Sequence, residues 1–212
     1  MQDYIAPDFN NCALLTIDTQ NDFTLPGAPA EIAGTLDVVP SMARLLSAFR
    51  VARRPIVHVV RLYLRNGSNA EICRRAMIER GDGFVLPGSE GAELVEQLKP
   101  DPSSRLDASL LLSGAFQPLG PGESVMYKPR WGAFYQTELE QHLRAQNINT
   151  LVFSGCNFPN CPRTSIYQAS ERDFRLVLAS DGISGLYERG RSEMEDIGVW
   201  LMPARYILAA IE

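Results

Sequence analysis

Short apolar segments rich in β-branched residues alternate with longer segments of helical periodicity along this chain. Five of the apolar segments predict buried strands, at residues 13–17, 55–60, 124–127, 150–154 and 175–179. A sixth and weaker strand is predicted near residues 199–201. Strands that lack polar alternation are typical of a sheet that is covered on both faces. The pattern therefore predicts an α/β fold, a three-layer α/β/α arrangement with a mostly parallel, Rossmann-like central sheet of about six strands.

In three segments between the strands, apolar residues recur at the spacing typical of a helix that packs one apolar face against a sheet. These segments are residues 38–50, 137–146 and 162–173. Pro162 suits the first turn of the third helix, where its missing N–H is not needed. Residues 62–122 are punctuated by Gly and Pro, and we expect one or two helices and an excursion from the sheet there. Because no repeat or linker interrupts the chain, residues 1–212 are expected to form a single domain.

The amino-acid composition is typical of one globular domain, and the charge distribution restricts which kind of molecule the protein binds. A chain of 212 residues, 45% hydrophobic and 21% charged, can bury a full core without disulfides. Its net charge is −5 and its Lys and Arg residues are scattered, which argues against a nucleic-acid partner. Neither a secretory signal nor a membrane span is found in the sequence. We therefore expect a cytoplasmic protein with reduced cysteines that acts on a small soluble molecule.

Three chemically useful side chains follow predicted strands. Asp18 follows the first strand, Lys128 follows the strand at residues 124–127, and Cys161 lies in the loop between the strand at residues 150–154 and the next helix. Ligands of open α/β sheets bind beyond the carboxyl ends of the strands. Taken singly, each residue has a simpler explanation, as a turn residue, a solvated charge or a small buried hydrophobe. Together they predict a reactive site at one edge of the sheet.

The surroundings of Cys161 favour a nucleophilic thiol. A thiolate attacks carbonyl carbon, and a position at a helix N-terminus is expected to lower the pKa of the thiol. The tight loop of residues 155–161 offers backbone N–H groups that could face a developing oxyanion. Cys156, which directly follows an apolar strand, is expected to be buried and inert.

Three motifs together resemble the isochorismatase-like cysteine hydrolases. They are LTIDTQNDF at residues 15–23, YKPRWGAF at residues 127–134 and GCNFPNC at residues 155–161, followed by Asp181 after the next strand. Their order and spacing match the family from about Cys12 to Asp181. The resemblance implies a catalytic triad of Asp18, Lys128 and Cys161. It also implies a non-proline cis peptide between Cys156 and Asn157, and an oxyanion hole formed by the backbone N–H groups of Asn157 and Cys161.

The resemblance implies hydrolysis of a C–N bond in a small amide, carbamoyl or ureido compound through a thioester, without a cofactor. Metal-binding members of the family have an Asp-x-His element and further histidines, whereas this chain has only His58 and His142. No metal site is therefore expected. Two alternatives stay open: isochorismatase-type ether hydrolysis, whose enzymes lack the cysteine, and a relative that binds a ligand without catalysis.

Aromatic and basic residues near the motifs are candidates for substrate binding. Phe23, Trp131 and Phe158 are expected to form apolar walls, and Arg130 is expected to contact a substrate carboxylate, a role for which Arg163 is also considered. Arg61 and Arg65 lie near the same edge, but solvated surface positions are favoured for both.

The chain is expected to assemble into a homo-oligomer. The resemblance implies a dimer or tetramer, and two apolar segments, residues 110–112 and residues 200–208, exceed what one covering layer needs. The alternative is that both segments complete the core.

Overall fold

The computed structural model describes residues 3–211, which form a central sheet with helices on both faces. The strands are β1 (Cys12–Ile17), β2 (Ile56–Val60), β3 (Gln117–Gly120), β4 (Glu123–Tyr127), β5 (Thr150–Gly155), β6 (Arg175–Ile183) and β7 (Trp200–Met202). The helices are α1 (Asn21–Thr24), α2 (Thr35–Val51), α3 (Ile72–Glu79), α4 (Ala108–Leu112), α5 (Leu139–Arg144), α6 (Cys161–Ser170), α7 (Glu188–Asp196) and α8 (Ala204–Ile211). Short 3-10 turns occupy Phe9–Asn11, Glu90–Ala92 and Glu96–Leu98.

The strand order is β3-β4-β2-β1-β5-β6-β7, and every neighbouring pair is parallel except β3 and β4. The mostly parallel α/β fold is therefore confirmed, with seven strands rather than about six. The additional strand is β3, which is antiparallel at the sheet edge and only half-buried. Its sequence, Gln-Pro-Leu-Gly, has no apolar run. Pro118, which lacks a backbone N–H, is tolerated there because an edge strand forms hydrogen bonds to a neighbouring strand on one side only.

Successive side chains of each central strand point to opposite faces of the sheet and pack into two separate hydrophobic cores. In β1, Leu15 and Ile17 join the core that also contains apolar residues of α5, α6 and α7. Cys12 and Leu14 point the other way, into the core under α2 and α8. Each aliphatic side chain buried in this way contributes roughly 1.5–3 kcal/mol, so a strand with no polar face is stable only between two layers.

The predicted covering helices are confirmed as α2, α5 and α6, whereas the short α1 and the helices α7 and α8 were not predicted. Helix α7 reads Glu-Arg-Gly-Arg-Ser-Glu-Met-Glu-Asp and buries only Gly190 and Met194, so it has almost no apolar periodicity. Helix α8 lies in a segment assigned above to an interface, yet its residues Ala204, Ile207 and Ile211 are buried in this chain. The C-terminal apolar segment therefore partly completes the core.

The excursion of residues 62–122 contains α3, α4 and β3, in agreement with the expected one or two helices. It packs as a third apolar cluster beside β2 and β4. Gln20 attaches it to the carboxyl end of β1, because the Gln20 amide donates to the carbonyls of Arg61 (2.9 Å) and Ala92 (2.7 Å). The excursion thereby forms one wall at the edge where the candidate residues lie. Every helix within residues 3–211 is too short or too polar to cross a bilayer.

Candidate active site

The candidate residues meet at the point where the strand order reverses. From β1 the chain continues to β2 and β4 on one side, and from β5 it continues to β6 and β7 on the other. The crevice beyond the carboxyl ends of β1 and β5 is the usual ligand position in such sheets. Asp18 follows β1, Lys128 follows β4, and Cys161 is the first residue of α6, after the loop from β5.

Asp18, Lys128 and Cys161 are in direct contact in the interior of the protein. The Lys128 Nζ lies 3.0 Å from Asp18 Oδ2 and 3.3 Å from Cys161 Sγ. The exposed fraction is 0% for Lys128, 4% for Asp18 and 9% for Cys161. A lysine buried this deeply needs a negative partner. Burial alone would lower the pKa of Lys128, but the nearby Asp18 carboxylate raises it, so the ammonium stays charged.

Asp18 has a free carboxylate oxygen on a strained backbone. Its φ is +52°, in the left-handed region, where a residue other than glycine is destabilised by about 1 kcal/mol. Its N–H donates to the carbonyl of Val59 (2.9 Å), which fixes this turn at the end of β1. Oδ2 pairs with Lys128, whereas the buried Oδ1 has no hydrogen-bond partner among residues 3–211. Oδ1 is therefore available to accept a proton.

The thiol of Cys161 is protonated at neutral pH. Burial and the Asp18 carboxylate raise its pKa to about 12, against the opposite effect of the Lys128 ammonium. The sequence-based expectation of a thiol pKa lowered by the helix N-terminus is therefore wrong, because burial and a neighbouring carboxylate dominate. A thiol of this kind needs a base at the moment of attack, and Asp18 is the carboxylate beside it.

The loop from β5 to α6 approaches β1 closely at Gly155. Gly155 has a φ of +124°, and a Cβ there would lie 2.3 Å from the Ile17 carbonyl oxygen, so only glycine fits. The next peptide bond, between Cys156 and Asn157, is cis, as the resemblance implies. The backbone N–H groups of Asn157 and Cys161 have no acceptor among residues 3–211. The loop that leads to Cys161 therefore contains two backbone donors without an intramolecular acceptor.

Cys156 has a different environment from Cys161. It is 1% exposed, its Sγ donates to the backbone carbonyl of Asp18 (3.0 Å), and burial raises the pKa of its thiol well above the ordinary value. The expectation that Cys156 is buried is confirmed.

A narrow cavity opens onto the three central residues. Its wall includes Phe23 and Trp131, two of the predicted substrate contacts, together with Asn157 of the predicted oxyanion hole. The cavity is small, about 20 Å³, so any ligand larger than a water molecule would have to displace side chains to enter. Sequence reasoning did not find Ile32, Tyr63, Arg74 and Asn160, which also line it.

Three predicted contacts lie outside this cavity. Phe158 is fully buried beneath it, edge-on to Tyr187, because it fills the core rather than the crevice. Arg130 turns away and donates to the carbonyls of Pro129 (2.6 Å) and Asn69 (3.2 Å). Arg163 pairs with Glu193 at 2.6 Å. The structure therefore does not place these three side chains where the substrate contacts were predicted.

Arg61 lines the cavity, although a solvated position was favoured for it. It is 1% exposed, pairs with Glu71 at 3.2 Å, and lies 4.1 Å from the ring centroid of Tyr63. Its guanidinium also donates to the carbonyls of Leu62 (2.9 Å) and Asn69 (2.6 Å). Arg61 therefore holds the excursion in shape. Arg65 is exposed, as expected.

The two histidines lie in the structural framework. His58 is buried in the sheet between Thr16 and Glu123, and His142 stacks on Phe116. Within residues 3–211, no three His, Cys, Asp or Glu side chains are grouped so that they could hold a metal ion.

Comparison with known proteins agrees with this geometry. The model of the isochorismatase domain matches residues 12–106 and 111–200, which is most of the chain. The chain belongs to the isochorismatase family. A crystal structure of an isochorismatase family protein from Desulfovibrio vulgaris has the same fold, with a TM-score of 0.80, 34% identity, and coverage of 93% of this chain and 96% of that one.

Two curated relatives in the isochorismatase family differ in the activity their names state. A ureidoacrylate amidohydrolase from Methylobacterium radiotolerans is 29% identical over 93% of this chain and 78% of its own length. A probable inactive nicotinamidase from Arabidopsis thaliana is 28% identical over 92% of this chain and 93% of its own. Other relatives are also named as amidohydrolases, among them a maleamate amidohydrolase from Pseudomonas putida, which supports hydrolysis of a C–N bond.

Proposed function

We propose that this protein is a cysteine amidohydrolase that cleaves the C–N bond of a small amide, carbamoyl or ureido compound through a thioester. The observation that carries the proposal is the buried contact of Lys128 with both Asp18 and Cys161, at 3.0 Å and 3.3 Å. It brings a base, a cation and a nucleophile to one cavity. This combination suits nucleophilic catalysis on a carbonyl carbon.

In the first half of the proposed reaction, Asp18 takes the proton of the Cys161 thiol while the sulfur attacks the carbonyl carbon. The carbonyl oxygen becomes an oxyanion, which accepts hydrogen bonds from the backbone N–H groups of Asn157 and Cys161. The C–N bond then breaks, the nitrogen leaves with the proton held by Asp18, and an acyl thioester remains on Cys161. In the second half, Asp18 takes a proton from water as the oxygen attacks the thioester. The C–S bond then breaks, the acid product leaves, and Asp18 returns the proton to the sulfur, which restores the thiol and the carboxylate.

Lys128 keeps the charge of this centre constant. One negative charge moves between Asp18 and Cys161 as the proton moves, and the ammonium contacts both groups, so each state remains neutralised. Loss of the ammonium would leave a buried negative charge unpaired, which is strongly destabilising. Phe23 and Trp131 are proposed as apolar walls for the substrate, since both line the cavity.

Two other functions are less well supported. Isochorismatase-type ether cleavage does not require a thiol, whereas this site places one beside an unpartnered carboxylate oxygen. The name of the inactive relative is compatible with a protein that binds a ligand without catalysis. The geometry of the site offers no observation that favours such a binding protein over an enzyme. The four cysteines are unpaired, which supports the further proposal that the protein acts in a reducing compartment such as the cytoplasm.

Ammonia release from a panel of small amides and ureido acids tests the proposal. We expect at least one compound to be hydrolysed, and Cys161→Ala to lower the rate at least 1000-fold while the melting temperature stays within a few degrees. Cys156→Ala serves as the matched control, because it removes a neighbouring buried thiol and is expected to cost stability more than rate. Hydrolysis by Cys161→Ala within tenfold of the unaltered protein would refute the proposal.

A further inference from the structure

Phe158 is a large ring in the loop from β5 to α6, yet it does not face the cavity. Its side chain is fully buried and lies edge-on to Tyr187, with 5.6 Å between the ring centroids. In the chain it stands directly after Asn157 and three residues before Cys161, and these two residues carry the backbone donors without an intramolecular acceptor. A shift of the ring is therefore transmitted to the peptide groups that are proposed to hold the oxyanion.

Backbone hydrogen bonds attach this loop to Ser184, which directly follows β6. The N–H of Ser184 donates to the carbonyl of Gly155 (3.1 Å), and the N–H of Phe158 donates to the carbonyl of Ser184 (2.8 Å). Ser184 is itself fixed, because it is 2% exposed and its hydroxyl accepts a hydrogen bond from the Thr35 hydroxyl at 2.9 Å. The backbone of Phe158 is thus anchored, and its ring decides how closely the loop lies against the next element, α7.

Helix α7 meets the ring of Phe158 with a glycine. A Cβ at Gly190 would overlap Phe158 Cε1, so a side chain at position 190 would displace the ring. Gly190 lies within a helix, where alanine is otherwise the more stable residue. The close approach of the ring, rather than a special backbone conformation, therefore explains the glycine.

Two polar contacts hold α7 beside the loop. Arg163, in the first turn of α6, pairs with Glu193 of α7 at 2.6 Å and donates to the Tyr187 hydroxyl at 2.7 Å. Apart from Gly190, only Met194 of α7 is buried, so the helix has few other apolar contacts. The ring of Phe158 therefore packs against a helix that is tied to the far end of the same loop.

We propose that Phe158 is a positioning residue: its ring, packed against Gly190 of α7, holds the two oxyanion donors of the loop at their distance from the substrate oxygen. The inference rests on the proposed function, and Phe158 acts only through the loop. Oxyanion donors are effective at about 2.7–3.1 Å from the oxygen, so a small displacement of the loop lowers the rate. The loss falls on the transition state and not on the bound amide, and it therefore lowers kcat rather than raising KM.

Enlarging the glycine and shrinking the ring test the proposal from both sides. With the amide that releases the most ammonia, we expect Gly190→Ala and Phe158→Leu each to lower kcat at least tenfold and to change KM less than about twofold. The combined variant separates contact from coincidence, because leucine leaves room for the new Cβ. We expect Gly190→Ala to cause no further loss of kcat in the Phe158→Leu background.

Phe174→Leu is the matched control. Phe174 is another buried ring of the same core, 5% exposed, but it follows the opposite end of α6 and packs on Phe134. The substitution should lower the melting temperature about as much as Phe158→Leu, while kcat stays within twofold. Thermal unfolding of every variant separates loss of rate from loss of fold.

Addition of acetaldehyde separates failure of this inference from failure of the proposed function. The Cys161 sulfur bonds to the aldehyde carbon, the carbon–oxygen double bond becomes a single bond, and the thiol proton passes to Asp18 while the loop donors hold the oxyanion. Protection of Cys161 from iodoacetamide measures this adduct, which involves no C–N bond. Both single variants should require at least tenfold more acetaldehyde for half-protection, and Phe174→Leu should require the same amount as the unaltered protein.

Such a shift in adduct formation without hydrolysis of any amide would support the positioning role and refute the amidohydrolase. The role of Phe158 would be overturned by unchanged kcat in both single variants, by an effect on KM alone, or by half-protection that the variants leave unchanged. An equal loss of kcat in Phe174→Leu, or losses that multiply in the combined variant, would also overturn it. So would the absence of both hydrolysis and adduct in the unaltered protein.

Discussion

At the scale of single residues, Asp18 is the charged neighbour with the largest effect on the Cys161 thiol. Burial raises the pKa of the thiol most, the Asp18 carboxylate raises it further, and the Lys128 ammonium lowers it. Asn fits the position of Asp18 because it also tolerates a left-handed backbone and has nearly the same shape. The variant Asp18→Asn therefore changes the charge with little effect on the fold.

We predict that Asp18→Asn separates alkylation of the thiol from hydrolysis. Without the carboxylate, the pKa of Cys161 falls, so a larger fraction is thiolate at pH 8 and iodoacetamide labels it faster. Hydrolysis should nevertheless fall at least 1000-fold, because no base remains for the leaving group and water. Peptide mapping in a Cys73→Ser background, which removes the exposed thiol, measures the labelling. Slower labelling of Cys161 in Asp18→Asn would contradict this electrostatic explanation.

The sequence predicted the central residues of the site better than its walls. Asp18 and Lys128 directly follow apolar strands, and Cys161 follows a third one closely, so the common direction of parallel strands brings them together. Arg74 lies on α3 beside Arg75, and no strand fixes the direction of its side chain. Phe158 belongs to the same motif as Cys161, but a motif does not reveal which of its side chains turn into the core.

At the scale of elements, Glu123 connects three parts of the fold at the start of β4. Its carboxylate accepts hydrogen bonds from Arg50 of α2 (2.7 Å) and contacts His58 of β2 at 2.8 Å. Burial raises the pKa of Glu123, but these two partners outweigh it and lower the pKa to about 2, from an ordinary 4.5. The ionised carboxylate therefore stabilises the fold above pH 4.5.

We predict that Glu123→Gln lowers the free energy of unfolding at pH 7 by roughly 3 kcal/mol, the equivalent of this pKa shift. Because the folded pKa lies below the unfolded one, the contribution is lost as the pH falls from 4.5 through 2. The difference between the two proteins should therefore close over that range. Urea unfolding followed by tryptophan fluorescence measures it, with the exposed Glu96→Gln as control. A difference that stays constant from pH 7 to pH 2 would exclude this role.

Most elements with an apolar pattern could be predicted; the exception is α8, whose apolar residues were assigned to an interface instead. Strands β1, β2, β5 and β6 are buried on both faces, and their apolar runs show it directly. Edge strand β3 and helix α7 gain their stability from a neighbour rather than from their own composition, so local patterns did not reveal them.

At the scale of the whole molecule, some apolar surface remains uncovered on the single chain. In the C-terminal segment, Trp200 is 39% exposed and Tyr206 is 53% exposed. Leu110, on α4, is 36% exposed. By contrast, Leu111 and Ile207 of the same segments are buried. The expected interface is therefore reduced to a few side chains, but an oligomer stays a prediction.

We predict that light scattering at working concentration finds a dimer or tetramer, and that dilution lowers activity together with size. The physical reason is that the excursion of residues 62–122 forms a cavity wall, so contacts between chains would hold it closed. Trp200→Glu should shift the mass toward one chain, whereas a substitution at exposed Arg65 should not. A fully active protein with the mass of one chain would exclude the oligomer.

Covalent capture on Cys161 tests the central mechanism most directly. The enzyme is mixed with the amide that releases the most ammonia and is quenched in acid during turnover. It is then digested, and the masses of its peptides are measured by mass spectrometry. We predict that the acyl part of the substrate is found on the peptide that contains Cys161, formed at least as fast as turnover and absent in Cys161→Ala. Rapid turnover with the acyl group on another residue, or turnover that persists in Cys161→Ala, would contradict the thioester mechanism.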